Sequence, residues 1–179
     1  HQRSNLWDLD HALTVAYTTS PDHLNKVSQY GVFYWAPLYG YSTSLNAYWT
    51  KSDVDTGTVG VGGVGFNVSG RGEFFGLRAT HALPKMASIS HSVSLSIDSR
   101  FFQNSVALVG GAALPTTAVG SMPLTARYAA KTEQTWGALG GAVEYVTNVG
   151  GGRGNDALSY TTARALSTTN WRAVRCVGF

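Results

Sequence analysis

Ile89-Ser90-His91-Ser92-Val93-Ser94-Leu95-Ser96-Ile97-Asp98 is the stretch that decides the fold of this chain. Every odd position except His91 is aliphatic and every even one is polar. That is the two-residue period of a pleated strand, and it excludes the 3.6-residue period of a helix. Working outward, the same alternation sets Leu13, Val15 and Tyr17 against Thr14, Ala16 and Thr18, and Leu45, Ala47 and Trp49 against Asn46, Tyr48 and Thr50. It sets Phe75, Leu77 and Ala79 against Phe74, Gly76, Arg78 and Thr80, and Leu124, Ala126, Tyr128 and Ala130 against Thr125, Arg127 and Lys131. Leu139, Gly141, Val143 and Tyr145 then oppose Ala142 and Glu144. No segment reads as a helix, so the expected class is all-β.

The alternating segments run about nine to eleven residues and recur about every twenty, which suits strands tilted across a bilayer. A soluble sandwich would use shorter strands at about 8–12-residue spacing. The connectors alternate in length as well. Thr19–Ser28 is moderate, Asp53–Gly72 and Ser99–Gly120 are long, and Gly150–Ala157 is a glycine-rich loop; between them Leu38–Ser44, Pro84–Ser88 and Lys131–Gly137 are short, and Ser167–Asn170 reads as a turn. Long loops on one side and short turns on the other are the asymmetry of an outer-membrane barrel.

Composition supports the same reading. Of the 179 residues 44% are hydrophobic, a near-normal share, but only 13% are charged, against roughly 25% in a typical soluble domain. Gly (21 residues), Ser, Thr and Asn stand where charge would be. A wet outer face of a soluble sheet would carry Lys, Glu and Arg on every strand. Here the polar faces carry a charge or two at most, as a lumen would, and these apolar faces carry none. Arg or Lys facing lipid costs about 2–4 kcal/mol at the midplane. Arg78, Asp98, Arg127 and Glu144 are therefore expected to point into a lumen, with Leu77, Val93, Leu95, Tyr128 and Val143 pointing to lipid. Trp35, Trp49 and Trp136 fall near the ends of the expected strands, where an interfacial aromatic girdle would lie.

Other functions find little footing. A net charge of +3 from scattered Lys and Arg gives no nucleic-acid footprint. The lone Cys176 excludes an internal disulfide and any cysteine-based zinc site. Gly60-Val61-Gly62-Gly63-Val64-Gly65 has the letters of a dinucleotide fingerprint, but a strand follows where the chemistry needs a helix N-terminus to hold the pyrophosphate. Asp55-Thr56-Gly57 resembles an aspartic-protease triplet without its apolar strand or its second copy, and Asp53 and Asp55 lack the remaining ligands of a calcium loop. His81 and His91 lie symmetrically about Met86 and could meet across a hairpin, yet two imidazoles lack the third ligand a metal needs. Gly150–Gly154 has no Lys-Ser/Thr of a phosphate loop, and Asn67-Val68-Ser69 is an isolated sequon. Neither a cofactor nor an enzymatic activity is expected.

The order of segments also resembles a family. Asp10-His11-Ala12-Leu13-Thr14-Val15-Ala16-Tyr17-Thr18-Thr19-Ser20-Pro21-Asp22-His23, Tyr34–Tyr39 and Lys51–Val59 resemble the first strands of the ShlB/FhaC/HecB haemolysin secretion and activation proteins, the TpsB transporters of two-partner secretion. Asn67–Glu73, Gly76–Pro84, Ser90–Asp98, Met122–Leu124 and Gly151–Asp156 continue the series in family order. The resemblance implies a sixteen-stranded antiparallel barrel in the bacterial outer membrane, preceded by two periplasmic POTRA domains. Such a barrel passes an unfolded TpsA-like exoprotein through its lumen without nucleotide hydrolysis. On this expectation residues 1–8 are a linker from the periplasmic region, and residues 9–179 are the N-terminal half of the barrel, eight or nine strands. The family's lumen-loop arginine lies beyond Phe179 and has no counterpart here; Arg71-Gly72 is not it. The alternatives are a complete eight-stranded membrane barrel with a structural or binding role, and a soluble all-β binding module.

Overall fold

The computed structural model describes residues 1–19, 27–61, 64–108, 117–135 and 137–178. They form one ten-stranded antiparallel sheet: β1 (Gln2–Leu6), β2 (His11–Thr19), β3 (Val27–Leu38), β4 (Thr43–Val61), β5 (Val64–Ala82), β6 (Ile89–Leu108), β7 (Thr117–Ser121), β8 (Pro123–Gln134), β9 (Gly137–Asn148) and β10 (Arg172–Gly178). Each strand pairs with its neighbours in the chain, an up-and-down order with no crossover; β7 and β8 both pair with β6. The stretch 1–8, expected as a linker, contributes β1, which pairs with β2 along the sheet's edge. At the other edge stands β10, and among the described residues no ladder joins it to β1.

β7 and β8 are in effect a single strand. Ile97 faces Leu124 and Arg100 faces Ser121, so both keep the same register against β6. The ladder lapses at Met122–Pro123 because proline has no N–H to donate. Pro123 is fully buried, and Met122 turns its backbone N–H to the side chain of Asn148 instead.

Three expectations are corrected. Asp53–Gly72 is not a loop: β4 and β5 stay paired through it, from Asp53 opposite Arg71 to Val61 opposite Val64, with a bulge between Asp55 and Gly57. Nor is Ser99–Gly120 a loop throughout, since β6 runs on to Leu108 and Thr117–Ser121 pairs back onto it. Asp53–Gly72 looks like a loop because glycine is its commonest residue, and Ser99–Gly120 because Gly110-Gly111 and Pro115 interrupt it, but the ladder is made by backbone groups and glycine can join it. Finally, a helix is present. α1 (Ala157–Ala163) lies between β9 and β10, capped by Asp156, whose carboxylate accepts the backbone N–H of Ser159. Those hydrogen bonds to Ser159 hold the Asp156 carboxyl below its ordinary pKa.

The segment 149–171 docks along the free edge of β7, where β9 stops. The Gly120 N–H donates to the carbonyl of Gly154, and the Val149 N–H to that of Met122. Two buried asparagines organise the rest. Asn148 donates to Oδ1 of Asn155 and to the carbonyl of Thr169, while Asn155 donates to the carbonyls of Val149 and Gly151. The Arg153 guanidinium lies 4.1 Å over the ring of Phe101. Elsewhere the sheet has hardly any core: among the described residues, the buried hydrophobic side chains besides Pro37 and Pro123 are Ala36, Phe101, Ala142, Val146 and Tyr160.

Candidate functional site: the polar face of the sheet

Residues directly opposite each other on paired antiparallel strands share a face, so the registers sort the side chains. One face carries Leu13, Val15, Val32, Leu45, Ala47, Leu77, Ala79, Val93, Leu95, Leu124, Ala126, Tyr128, Val143, Tyr145 and Val174. It has almost nothing against it: Leu95 is 56% exposed and Val143 51%. Above this band on β4 and β5 the same face turns charged, with Lys51 opposite Glu73 and an ion pair of 2.9 Å between Arg71 and Asp53.

The other face carries Arg78, Asp98, Arg127 and Glu144, within a field of Ser, Thr, Gly and Ala. Arg127 and Glu144 are directly opposed on β8 and β9, with 3.5 Å between Nη1 and Oε1, and Arg175 on β10 lies in the same row. The Arg127 Nε is buried without a hydrogen-bond partner.

A second row is more closely built. Tyr48, Gly76 and Asp98 lie opposite one another on β4, β5 and β6. Tyr48 reaches across Gly76 and donates its hydroxyl to Oδ1 of Asp98 at 2.8 Å. A Cβ at position 76 would collide with the Tyr48 ring and with that carboxylate oxygen, so only glycine permits the crossing. Arg100 donates to Asp98 Oδ2 at 3.0 Å, and Phe33 stacks beside Tyr48 with ring centroids 6.4 Å apart. Asp98 is 6% exposed with both oxygens engaged. A buried carboxylate is tolerable on those terms. The residues that build this row around Asp98, namely Tyr48, Gly76 and Arg100, are not recognisable from spacing. The one available signal is a glycine in mid-strand, which marks a close approach.

The tryptophans divide. Trp35 shares the polar face, opposite Asn46, whereas Trp49 is on the apolar face opposite Phe75 and donates Nε1–H to Glu73 at the border of the charged zone. Trp136 lies outside the described residues. His81 and His91 do share the apolar face but do not bond to each other. His81 is 3.0 Å from the hydroxyl of Thr43; His91 meets the Pro84 carbonyl at 2.8 Å and the Tyr128 hydroxyl at 3.1 Å. Among the described residues no three His, Cys, Asp or Glu side chains are grouped to hold a metal ion. Gly60 pairs with Gly65 across the β4–β5 hairpin, with no helix for a nucleotide phosphate.

An up-and-down antiparallel sheet, apolar on one face and sparsely charged on the other, is the wall of a β-barrel. No protein-family model matches the chain, and no curated protein sequence does. Among solved structures it is similar to CdiB from Escherichia coli, with a TM-score of 0.73 at 15% identity over 98% of this chain and 32% of that one. The chain thus spans about a third of the length of CdiB, and what the likeness carries is the fold.

Proposed function

We propose that residues 9–179 are the N-terminal half of a sixteen-stranded TpsB-like transporter barrel in the bacterial outer membrane, whose lumen passes an unfolded TpsA-like exoprotein. The observation that carries this reading is the sorting of side chains: the mid-strand charges Arg78, Asp98, Arg127 and Glu144 share one face, and the band of uncovered aliphatic residues lies on the other. Similarity in fold to CdiB, a TpsB transporter, supports it.

On this reading the apolar face is solvated by outer-membrane lipid, and Trp49 belongs to an interfacial girdle. The short turns face the periplasm, where residues 1–8 follow POTRA domains, and the long connections face outward. A lumen of Ser, Thr, Gly and paired charges satisfies passing backbone groups only transiently, so an extended chain can slide, and its folding outside biases the motion. The specific ShlB/FhaC/HecB assignment and a haemolysin-like cargo are part of the proposal.

The test is secretion. Cells carrying the full reading frame that encodes this chain, together with the exoprotein encoded beside it, are expected to release the exoprotein. Cells in which residues 9–179 are deleted are expected to retain it in the periplasm. Release that continues without these residues overturns the reading. So does full channel conductance from the isolated chain, because an open sheet leaves edge backbone groups unsatisfied in lipid.

A further inference from the structure

Beside the Tyr48–Gly76–Asp98 row is a recess of about 390 Å³ whose walls include Phe33, Trp35, Asn46, Tyr48, Arg78 and Thr80. Its cation is Arg78, which is exposed and makes no hydrogen bond or ion pair within the described residues. The carboxylate that shares the recess, Asp98, makes no bond to it and is engaged instead by Tyr48 on one oxygen and Arg100 on the other. The recess therefore offers a guanidinium fork without an acceptor, flanked by the rings of Phe33, Trp35 and Tyr48 and by an amide.

We propose that this recess is a docking point for carboxylate side chains of the polypeptide in transit; the proposal rests on the transporter reading above. A guanidinium binds a carboxylate through two parallel N–H donors. The Trp35 and Phe33 rings offer apolar surface to the flanking residue of an extended chain, and the Asn46 amide can exchange hydrogen bonds with its backbone. Because the recess is open to water, each engagement is weak. A passing chain is retained briefly at each Asp or Glu and then released, as conduction through a multi-site pore requires.

The experiment uses the protein of the full reading frame, reconstituted in planar bilayers, with two soluble Gly/Ser-rich peptides that differ by one central Glu or Gln. The Glu peptide is expected to block the current about five-fold longer than the Gln peptide, the most an exposed ion pair commonly gives. Arg78→Gln is expected to abolish the difference, and Arg78→Lys to keep part of it. Arg78 makes no internal bond, so heat-modifiable mobility on gels should be unchanged in Arg78→Gln. Equal block times for both peptides in the wild type, or a Glu preference surviving in Arg78→Gln, would overturn the docking point and leave the pore intact. Absence of both conductance and block would remove the transporter reading and this proposal with it.

Discussion

The wall formed by β4, β5 and β6 and the segment 149–171 solve the same problem, satisfying backbone groups, in opposite ways. Over most of the wall the backbone N–H and C=O groups go to a neighbouring strand, and side chains are free to serve whatever lies on either face. In 149–171 the ladder has stopped, and two asparagine side chains take over, bonding Met122, Val149, Gly151 and Thr169 from the centre. The wall tolerates side-chain change and depends on backbone regularity. The segment depends on a few particular side chains.

Removing one of those side chains should have the largest effect. Asn148→Ala leaves the Met122 N–H and the Thr169 carbonyl without partners in a site where Asn148 is 8% exposed. A loss of about 3 kcal/mol in local stability is expected, from several hydrogen bonds of about 1 kcal/mol each plus the desolvation of the orphaned groups. Limited proteolysis within 149–171 should rise sharply while the sheet's far-ultraviolet spectrum is kept. Simultaneous loss of both would show that the two regions fold as one unit.

The wall's exception comes next, because the Tyr48–Gly76–Asp98 row is the one place where strand regularity alone is not enough. Gly76→Ala should cost about 2 kcal/mol through overpacking, read as a lower urea midpoint in detergent. Tyr48→Ala in the same chain should recover part of that loss. An unchanged midpoint would return the row to ordinary wall.

Substitutions on the wall's faces should matter less and should differ by face. Glu144→Gln removes a partly exposed pair with Arg127 and should cost about 1 kcal/mol or less. Its contribution should also fade in high salt, since the pair is partly exposed.

The smallest effect belongs to the cap of α1. Asp156 has its pKa lowered by the hydrogen bonds from Ser159. Protonation is therefore resisted more in the folded than in the unfolded chain, and the cap's contribution is present above the ordinary Asp range and lost as pH falls through the lowered value. Proteolysis at 157–163 should increase modestly in acid, and Asp156→Asn, which caps without titrating, should flatten that dependence.

The same contrast explains what was legible in the sequence. Alternation along Ile89–Asp98 is a direct imprint of the pleat, so strands and faces could be read, and the charges Arg78, Asp98, Arg127 and Glu144 fell on one side. The outer halves of β4 and β5 were illegible because pairing there is carried by backbone and Gly-rich composition imitates a loop, and that of β6 because Ser99–Leu108 loses the strict alternation. α1 escaped because seven residues show hardly two turns of period; its signals are a cap at Asp156 and contacts from distant Asn148 and Trp171 through Tyr160. The recess at Arg78 gathers residues from five strands, β2 to β6, and becomes visible only once register is known.

One consequence follows from the length of β4. It continues beyond the last residue of β3 that pairs with it, since Val54 faces Val27, the first residue of β3. From there to Val61 one margin of β4 has no neighbour on the β3 side among the described residues, which is the circumstance in which a foreign strand can add and start a fibre. Directly past that point the chain has a bulge between Asp55 and Gly57. A bulge discourages addition, because it twists the margin away from a flat template. The Asp-Thr-Gly triplet that imitates a protease motif thus stands where the strand is guarded against aggregation.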